Sequence, residues 1–379
     1  MQVKYKKNIS LENFVFIFVF FTFFTYLALV MGPSNMLQTL MKTAYDLLIN
    51  TCLYIMAISV LAGALSALFS EFGFIALVDL LLSKIMKPLY NLPGASSLGI
   101  LNCYLSDNPA ILTLADEDNF KKYFKRFQLP ALCNLGTSFG MGLIVTTSMF
   151  ALPVEGAFKA GLVGNLGAFV GSIVSVRIML IFTKKAYGSQ LMVEVKSAGS
   201  IPAGSRVIRS GSFGSRMIEA ILDGGKSGVD MGLAIIPGVL TICTLVMVLT
   251  NGRPPEGYSG SLGEGVGLLP LVGEKLSFIL SPLFGFSNDA FIAVPITALG
   301  SAGAALGLVG DFANSVGLRA NDLAVFTAMC MCWSGYLSTH IAMMDALGTK
   351  EMTPYAILSH TFGGLAAGVA AHIFAMILI

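Results

Sequence analysis

Long apolar runs separated by short polar connections recur from residue 14 to the end of the chain. The runs fall at about 14–32, 45–69, 127–151, 156–183, 229–250, 321–347 and 354–379. Each approaches the roughly 20 residues an α-helix needs to cross hydrocarbon, so each predicts a spanning helix. Two regions, 72–116 and 265–310, break the pattern. There, shorter apolar pieces are cut by Gly, Pro and small polar residues, as in "LLLSKIMKPLYNLPGASSLGILNCYLSDNPAI". Backbone N–H and C=O groups opened in hydrocarbon cost several kcal/mol each. Such breaks therefore predict re-entrant hairpins followed by broken helices, buried in protein.

The first run, "FVFIFVFFTFFTYLALVMG", follows a basic start but has no small-x-small cleavage site, which marks a retained span rather than a signal peptide. The one long polar connection, 184–226, is rich in Gly and Ser and predicts a flexible linker. Its end, 215–227, predicts a short amphipathic helix on the membrane surface. The expected division is an extra span and connection at 1–44, a first repeat at 45–183, a cytoplasmic linker at 184–227 and a second repeat at 228–379.

The repeat rests on "PLYN" at 88–91 and "PLFG" at 282–285, each closing an amphipathic piece and lying 194 positions apart. Each unit reads span, hairpin, broken helix, span, span, and the two start on opposite sides. Inverted repeats with discontinuous helices point to a secondary transporter. The basic residues agree. Segments 1–13, 117–126, 184–227 and 348–353 hold fifteen Lys and Arg, against four (Lys42, Lys159, Arg253, Arg319) in the opposite connections. By the positive-inside rule the N-terminus is cytoplasmic and the C-terminus extracytoplasmic, provided 72–116 enters and leaves on one side.

Composition narrows the class further. Hydrophobic residues make up 55% and charged residues 12%, about half the charge of a soluble domain. The expected fold class is an all-α multi-pass protein of the cell membrane, with two inverted-topology repeats carrying re-entrant hairpins and broken helices. A net charge of +2 gives no reason to expect a nucleic-acid polymer as partner; the partners are the lipid bilayer and a small polar solute, with a homo-oligomer left open. All six cysteines lie in apolar segments and read as reduced packing residues. No His/Cys set has zinc spacing. No P-loop, HExxH or GxSxG with partners is present, so no enzyme activity, resident metal or cofactor is expected, and uphill transport would draw on a Na+ or H+ gradient.

Candidate chemistry sits where polar residues interrupt apolar runs. Ser106, Asp107 and Asn108 precede Pro109 and an apolar helix, the pattern of a helix N-terminus. A half-helix N-terminus in the membrane favours anionic or polar groups, while the Asp107 carboxylate suits a cation or an amine; capping at a membrane edge is the plainer role. Asn102 lies five residues earlier. Ser287, Asn288 and Asp289 form a second interruption, at an expected hairpin tip, with Asp289 a candidate for ion coupling. At an offset of 194, however, Asp107 corresponds to Ser301 and Asp289 to Ala95, so the site is expected to be symmetric in backbone and asymmetric in charge. Asn134, Thr137 and Ser138 share one helical face, suited to helix–helix hydrogen bonding or to pocket lining. Ser338 and His340 offer a hydroxyl and an imidazole, the latter more simply a packed residue. Asp345 and Glu71 fall near span ends and are expected to be solvated.

"PLYNLPGASSLGILNCYLSDNPAILTLADEDNFKK" and "PLFGFSNDAFIAVPITALGSAGAAL" together resemble the nucleoside-recognition or Gate-domain membrane proteins. That family includes concentrative nucleoside transporters, the membrane part of the bacterial ferrous-iron transporter, spore-maturation membrane proteins and ethanolamine-permease-like proteins. The resemblance covers most of 45–379 and implies two inverted repeats, polar hairpin tips around a central site, and ion-coupled uptake of a nucleoside or small amine. A non-transporting membrane partner of the spore-maturation type and a divalent-metal conduit are the alternatives it leaves. The glutamate-bearing substrate motifs of the nucleoside transporters and the GTPase domain of the iron transporter are absent from the sequence.

Overall fold

The computed structural model describes residues 7–194 and 205–379. Lys4, Lys6 and Lys196, which contribute to the charge asymmetry, lie outside the described residues. Helix α1 (Leu11–Met31) is apolar on all sides and largely exposed, burying only Leu27 and Met31. Its 21 residues span about 31 Å at 1.5 Å per residue, the thickness of a hydrocarbon core. Pro33 then opens α2 (Pro33–Asp46), which runs through a π-helical turn (Leu47–Cys52) into α3 (Leu53–Glu71).

The first repeat continues by bending 86° into α4 (Phe74–Tyr90). Helices α5 (Ser96–Leu105) and α6 (Ala110–Asp116) fold back on each other, Gly99 against Ile111 and the Cys103 thiol donating to the Asn108 carbonyl at 3.2 Å. A short α7 (Asp118–Lys121) leads to α8 (Ala131–Thr137), a break at 138–141, α9 (Gly142–Phe150) and the long α10 (Ala157–Tyr187). The second repeat opens with α11 (Phe213–Gly238), a second π-helical turn (Val239–Cys243) and α12 (Thr244–Thr250). It proceeds through α13 (Leu268–Lys275) and α14 (Ser277–Phe284) to a hairpin of α15 (Ala293–Ala298) and α16 (Ala302–Ser315). A helix broken at 333–335 follows, α17 (Ala320–Cys332) and α18 (Tyr336–Ala346), and α19 (Thr353–Leu378) closes the chain.

The backbone carries the repeat more clearly than the letters do. Left-handed conformations recur 194 positions apart, at Gly73 and Gly267, Asn91 and Gly285, and Met141 and Gly335. A side chain in this conformation costs roughly 1–2 kcal/mol, so Asn91 and Met141 are held there by their surroundings. The bends after α4 and α14 are also held alike. Gln128 donates to the Asn91 carbonyl at 2.6 Å and caps the Lys125 N–H at 2.9 Å. At the equivalent place Arg319 and Asn321 donate to the Gly285 carbonyl at 2.8 and 2.9 Å, and Asp322 caps the Arg319 N–H at 3.0 Å.

Two packing units support this arrangement. Helices α10, α17 and α19 pack through small residues, Gly164 against Thr327 and Gly171 against Gly363 and Ala367. Helices α3 and α11 pack backbone to backbone. A Cβ on Gly63 would collide with the Gly224 carbonyl, and one on Gly228 with the Ser59 carbonyl. The stretch 215–227 is therefore not a separate surface helix but the first half of α11. The glycines that read as linker are what lets α11 approach α3.

Three further expectations change. The runs 127–151 and 321–347 are not continuous spans; each breaks midway. The hairpins turn at 106–109 and 299–301, not at 91–97 or 285–289, because Pro88 and Pro282 fall inside helices that end at left-handed Asn91 and Gly285. Glu71 is not solvated. It is 2% exposed and takes Arg209 at 3.1 Å and Arg216 at 2.5 Å. These arginines tie the chain after residue 205 to the end of α3, while Asn119 exchanges hydrogen bonds with the Val207 backbone at 3.0 and 3.1 Å.

In the connection after α12, Glu264 accepts from Ser259 N–H, Ser259 Oγ, Gly260 N–H and Thr39 Oγ1 at 2.7–3.3 Å. Burial would push this carboxyl up, but the donors from Ser259, Ser261 and Gly260 outweigh it and hold it down at about 2. A carboxylate lowered on folding stabilises above its ordinary range and loses that contribution as pH falls toward its folded value. Melting of the purified protein in detergent should therefore weaken between about pH 4.5 and pH 2, and Glu264→Gln should flatten that part of the curve. In the same assay Gly224→Ala should cost about 1–3 kcal/mol by overpacking. Gly214→Ala, in the same helix with open space around it, should not destabilise.

Candidate functional site

The two hairpin tips and the α17/α18 break meet. Pro109 prevents the Ser106–Pro109 turn from continuing α5, and its backbone polar groups need partners inside the protein. Asn108, fully buried, supplies one link: its amide donates to the Ser334 carbonyl at 2.5 Å and to Thr339 Oγ1 at 3.1 Å. From the second hairpin, the Ala298 and Leu299 carbonyls accept from Gly335 and Leu337 N–H at 2.8 and 3.4 Å. Gly140, in the α8/α9 break, lies against Asn108, and a Cβ there would overlap its Oδ1. Only a residue without a side chain lets the first hairpin tip seat so closely.

A cavity of about 380 Å³ opens at this convergence, within the usual range for small-molecule sites. Ser106 and Asp107 line it from the first tip, and Gly300 and Ser301 from the second. Ser334, Gly335, Ser338 and Thr339 line it from the α17/α18 break. Asp46, Leu47 and Asn50 from the first π-helical turn and its flank, and Val239 and Cys243 from the second, complete the lining. A π-helical turn holds a surplus residue and commonly marks a functional site; here each repeat turns one toward the cavity.

The sequence candidates separate into groups. Ser106, Asp107 and Ser338 line the cavity. Asp107 accepts from the Asn108 N–H at 2.7 Å and makes no cap to α6, which is only seven residues long. Asn108 braces the tip from behind. Asn102 reaches Ser66 at 3.5 Å and its carbonyl takes the Ser106 hydroxyl at 2.6 Å. Asn134 bridges Ser175 and the Ala356 carbonyl at 3.0 Å each, Thr137 contacts Met343 Sδ at 3.8 Å, and Ser138 donates to the Asn134 carbonyl at 2.8 Å. His340 is buried beside Tyr336 and His360, with ring centroids 5.5 and 4.6 Å away.

Ser287, Asn288 and Asp289 do not reach this cavity. Ser287 binds Asp322 through N–H and hydroxyl at 3.0 and 2.7 Å, Asn288 accepts the Ala290 N–H at 2.9 Å, and Asp289 is exposed. They follow the bend after α14, away from the second tip. Sequence reasoning did not single out Asp46, Asn50, Ser301 or Thr339 as site residues. Ser301 was signalled by the 194-residue offset from Asp107; Asp46 was not, since it sits at the start of an ordinary apolar run.

No family model matches the chain, and no curated protein matches it in sequence. Solved structures of concentrative nucleoside transporters share its fold. A doubly substituted CNTnw in an outward-facing state has a TM-score of 0.55 at 15% identity, covering 86% of this chain and 76% of its own. Another double variant in an outward-facing state gives 0.54 at 13%, covering 89% and 79%. A single variant in the intermediate 3 state gives 0.51 at 13%, covering 85% and 76%. The chain is a multi-pass membrane protein with a concentrative-nucleoside-transporter-like fold; of the branches the resemblance spans, this is the one these structures bear out in fold.

Asn108→Ala would leave the buried Ser334 carbonyl without its Asn108 partner, at about 1–3 kcal/mol. A lowered melting temperature in detergent, with Asn102→Ala nearly unchanged, is the expected result.

Proposed function

We propose that this protein is an ion-coupled secondary transporter that takes up a small polar solute of nucleoside type. The observation that carries the reading is the cavity itself. It is enclosed by hairpin tips, a helix break and π-helical turns drawn from both inverted repeats, where irregular backbone within a membrane protein is tolerated because it lines a cavity. Hydroxyls from Ser106, Ser301, Ser334, Ser338 and Thr339, with the carboxylates of Asp46 and Asp107, suit a solute rich in hydroxyl and N–H donors. In this reading Asp107 and Ser106 hold the solute and Ser338 assists. Asn108 positions the tip, and Asn102, Asn134, Thr137, Ser138 and His340 belong to the packing behind it. The fold likeness to concentrative nucleoside transporters supports the solute class, and the lysine and arginine distribution supports a cytoplasmic N-terminus. Na+ and H+ are the coupling ions to be compared.

A divalent-metal conduit is less well supported, since among the described residues no three His, Cys, Asp or Glu side chains are grouped to hold a metal ion. Reconstitution in proteoliposomes tests the proposal. Radiolabelled uridine should accumulate above equilibrium under an inward Na+ or proton gradient and equilibrate when an ionophore collapses it. Asp107→Asn should reduce uptake at least tenfold, whereas Asp289→Asn should leave it close to wild type. No uptake of uridine or other nucleosides under either gradient would favour the non-transporting partner protein instead.

A further inference from the structure

We propose that the cavity selects solutes carrying a positive charge, such as a protonated amine on a nucleoside-sized body, over neutral and anionic ones. The inference rests on the transport reading of the same site and narrows its substrate class. Two carboxylates from different elements line the cavity, Asp46 from the end of α2 and Asp107 from the first hairpin tip. Each has only a local partner: Asp46 accepts from Asn50 one turn along its own helix at 2.6 Å, and Asp107 from its neighbour's N–H. Among the described residues neither forms an ion pair. Among the described residues no Lys, Arg or His lines the cavity, and Cys243 is the other titratable side chain on its wall.

A second, separate feature points to a polar guest. Ser334 is 4% exposed, lines the same cavity, and among the described residues its hydroxyl has no hydrogen-bond partner. Buried polar groups are ordinarily paired, and charges taken out of water require a counter-charge. A wall that mixes Leu47, Met141 and Val239 with two unneutralised carboxylates gives a confined negative potential, stronger than in open water. A guest bearing a cation and a hydrogen-bonding hydroxyl or N–H supplies both absent partners. A phosphate-bearing guest is repelled, because nothing on the wall answers its charge.

The chain's sole tryptophan, Trp333, directly precedes Ser334 and reports binding without any transport assay. Its fluorescence in the purified full-length protein, in detergent at pH 6.5, would be titrated with uridine, 5′-amino-5′-deoxyuridine and uridine 5′-monophosphate. The amino compound should bind at least tenfold more tightly than uridine, and the monophosphate more weakly than either. The preference should be the same in potassium and sodium chloride, and should fall below threefold in Asp46→Asn and in Asp107→Asn. Should either variant fail to fold, wild type suffices: affinity for the amino compound should drop as pH rises through that compound's own amine pKa, while uridine's stays level. Equal or tighter binding of uridine, no binding of the amino compound, or uridine binding that depends on Na+ without an amine preference would overturn the proposal. If the preference holds but proteoliposomes show no uptake of the amino compound, the transport reading fails and the charge selectivity stands.

Discussion

The hydrogen bonds between hairpin tips and broken helices are the constraint on which the rest of this structure depends. A backbone that leaves the helix inside a membrane must pair its freed groups within the protein. In this chain the α17/α18 break is satisfied from two directions, by the Asn108 side chain of one repeat and by the Ala298 and Leu299 carbonyls of the other. The convergence of irregular segments is therefore required before any solute is considered. The cavity is the space left between backbones that had to meet.

Around that convergence the helices divide the labour. Helices α10, α17 and α19 form a tight bundle of small residues, with the α17/α18 break projecting from it. Helices α3 and α11 form a second bar whose glycines bring main chains into contact. Both π-helical turns lie in the helices of this second bar and its continuations, so the wall they give the cavity is itself locally irregular. Asp46 belongs to that wall and Asp107 to the tips, which places the two cavity carboxylates on different structural units.

Much of this was legible in the sequence, and the limits have physical causes. Hydropathy carries fold class and the inverted order, because crossing a bilayer sets segment length directly. The interruption at Ser106–Pro109 stood out because three polar residues and a proline are costly amid apolar neighbours, and two of its residues, Ser106 and Asp107, line the cavity. The breaks at 138–141 and 333–335 were hidden. Gly, Ser, Thr and Met there differ little from packed spans elsewhere, and only the left-handed Met141 and Gly335 give them away. The glycines of α11 were misread for the opposite reason, since the composition that makes a linker flexible also lets two helices touch. Ser287–Asp289 looked equivalent to Ser106–Asn108 by letters, while the 194-residue offset already assigned Asp107's place to Ser301.

The hairpins are alike in length but not in continuity: the arm that is one helix in the second repeat, α16, is split at Glu117 in the first, into α6 and α7. In the transporter proposed above, the opposite-facing form would arise by one inverted half moving against the other around the cavity. Identical halves would make those forms equal in energy, related by a two-fold axis in the membrane plane. Here one half carries Asp107 and a split arm where the other carries Ser301 and a continuous one, so on that proposal the two orientations would differ in energy before any ion or solute binds.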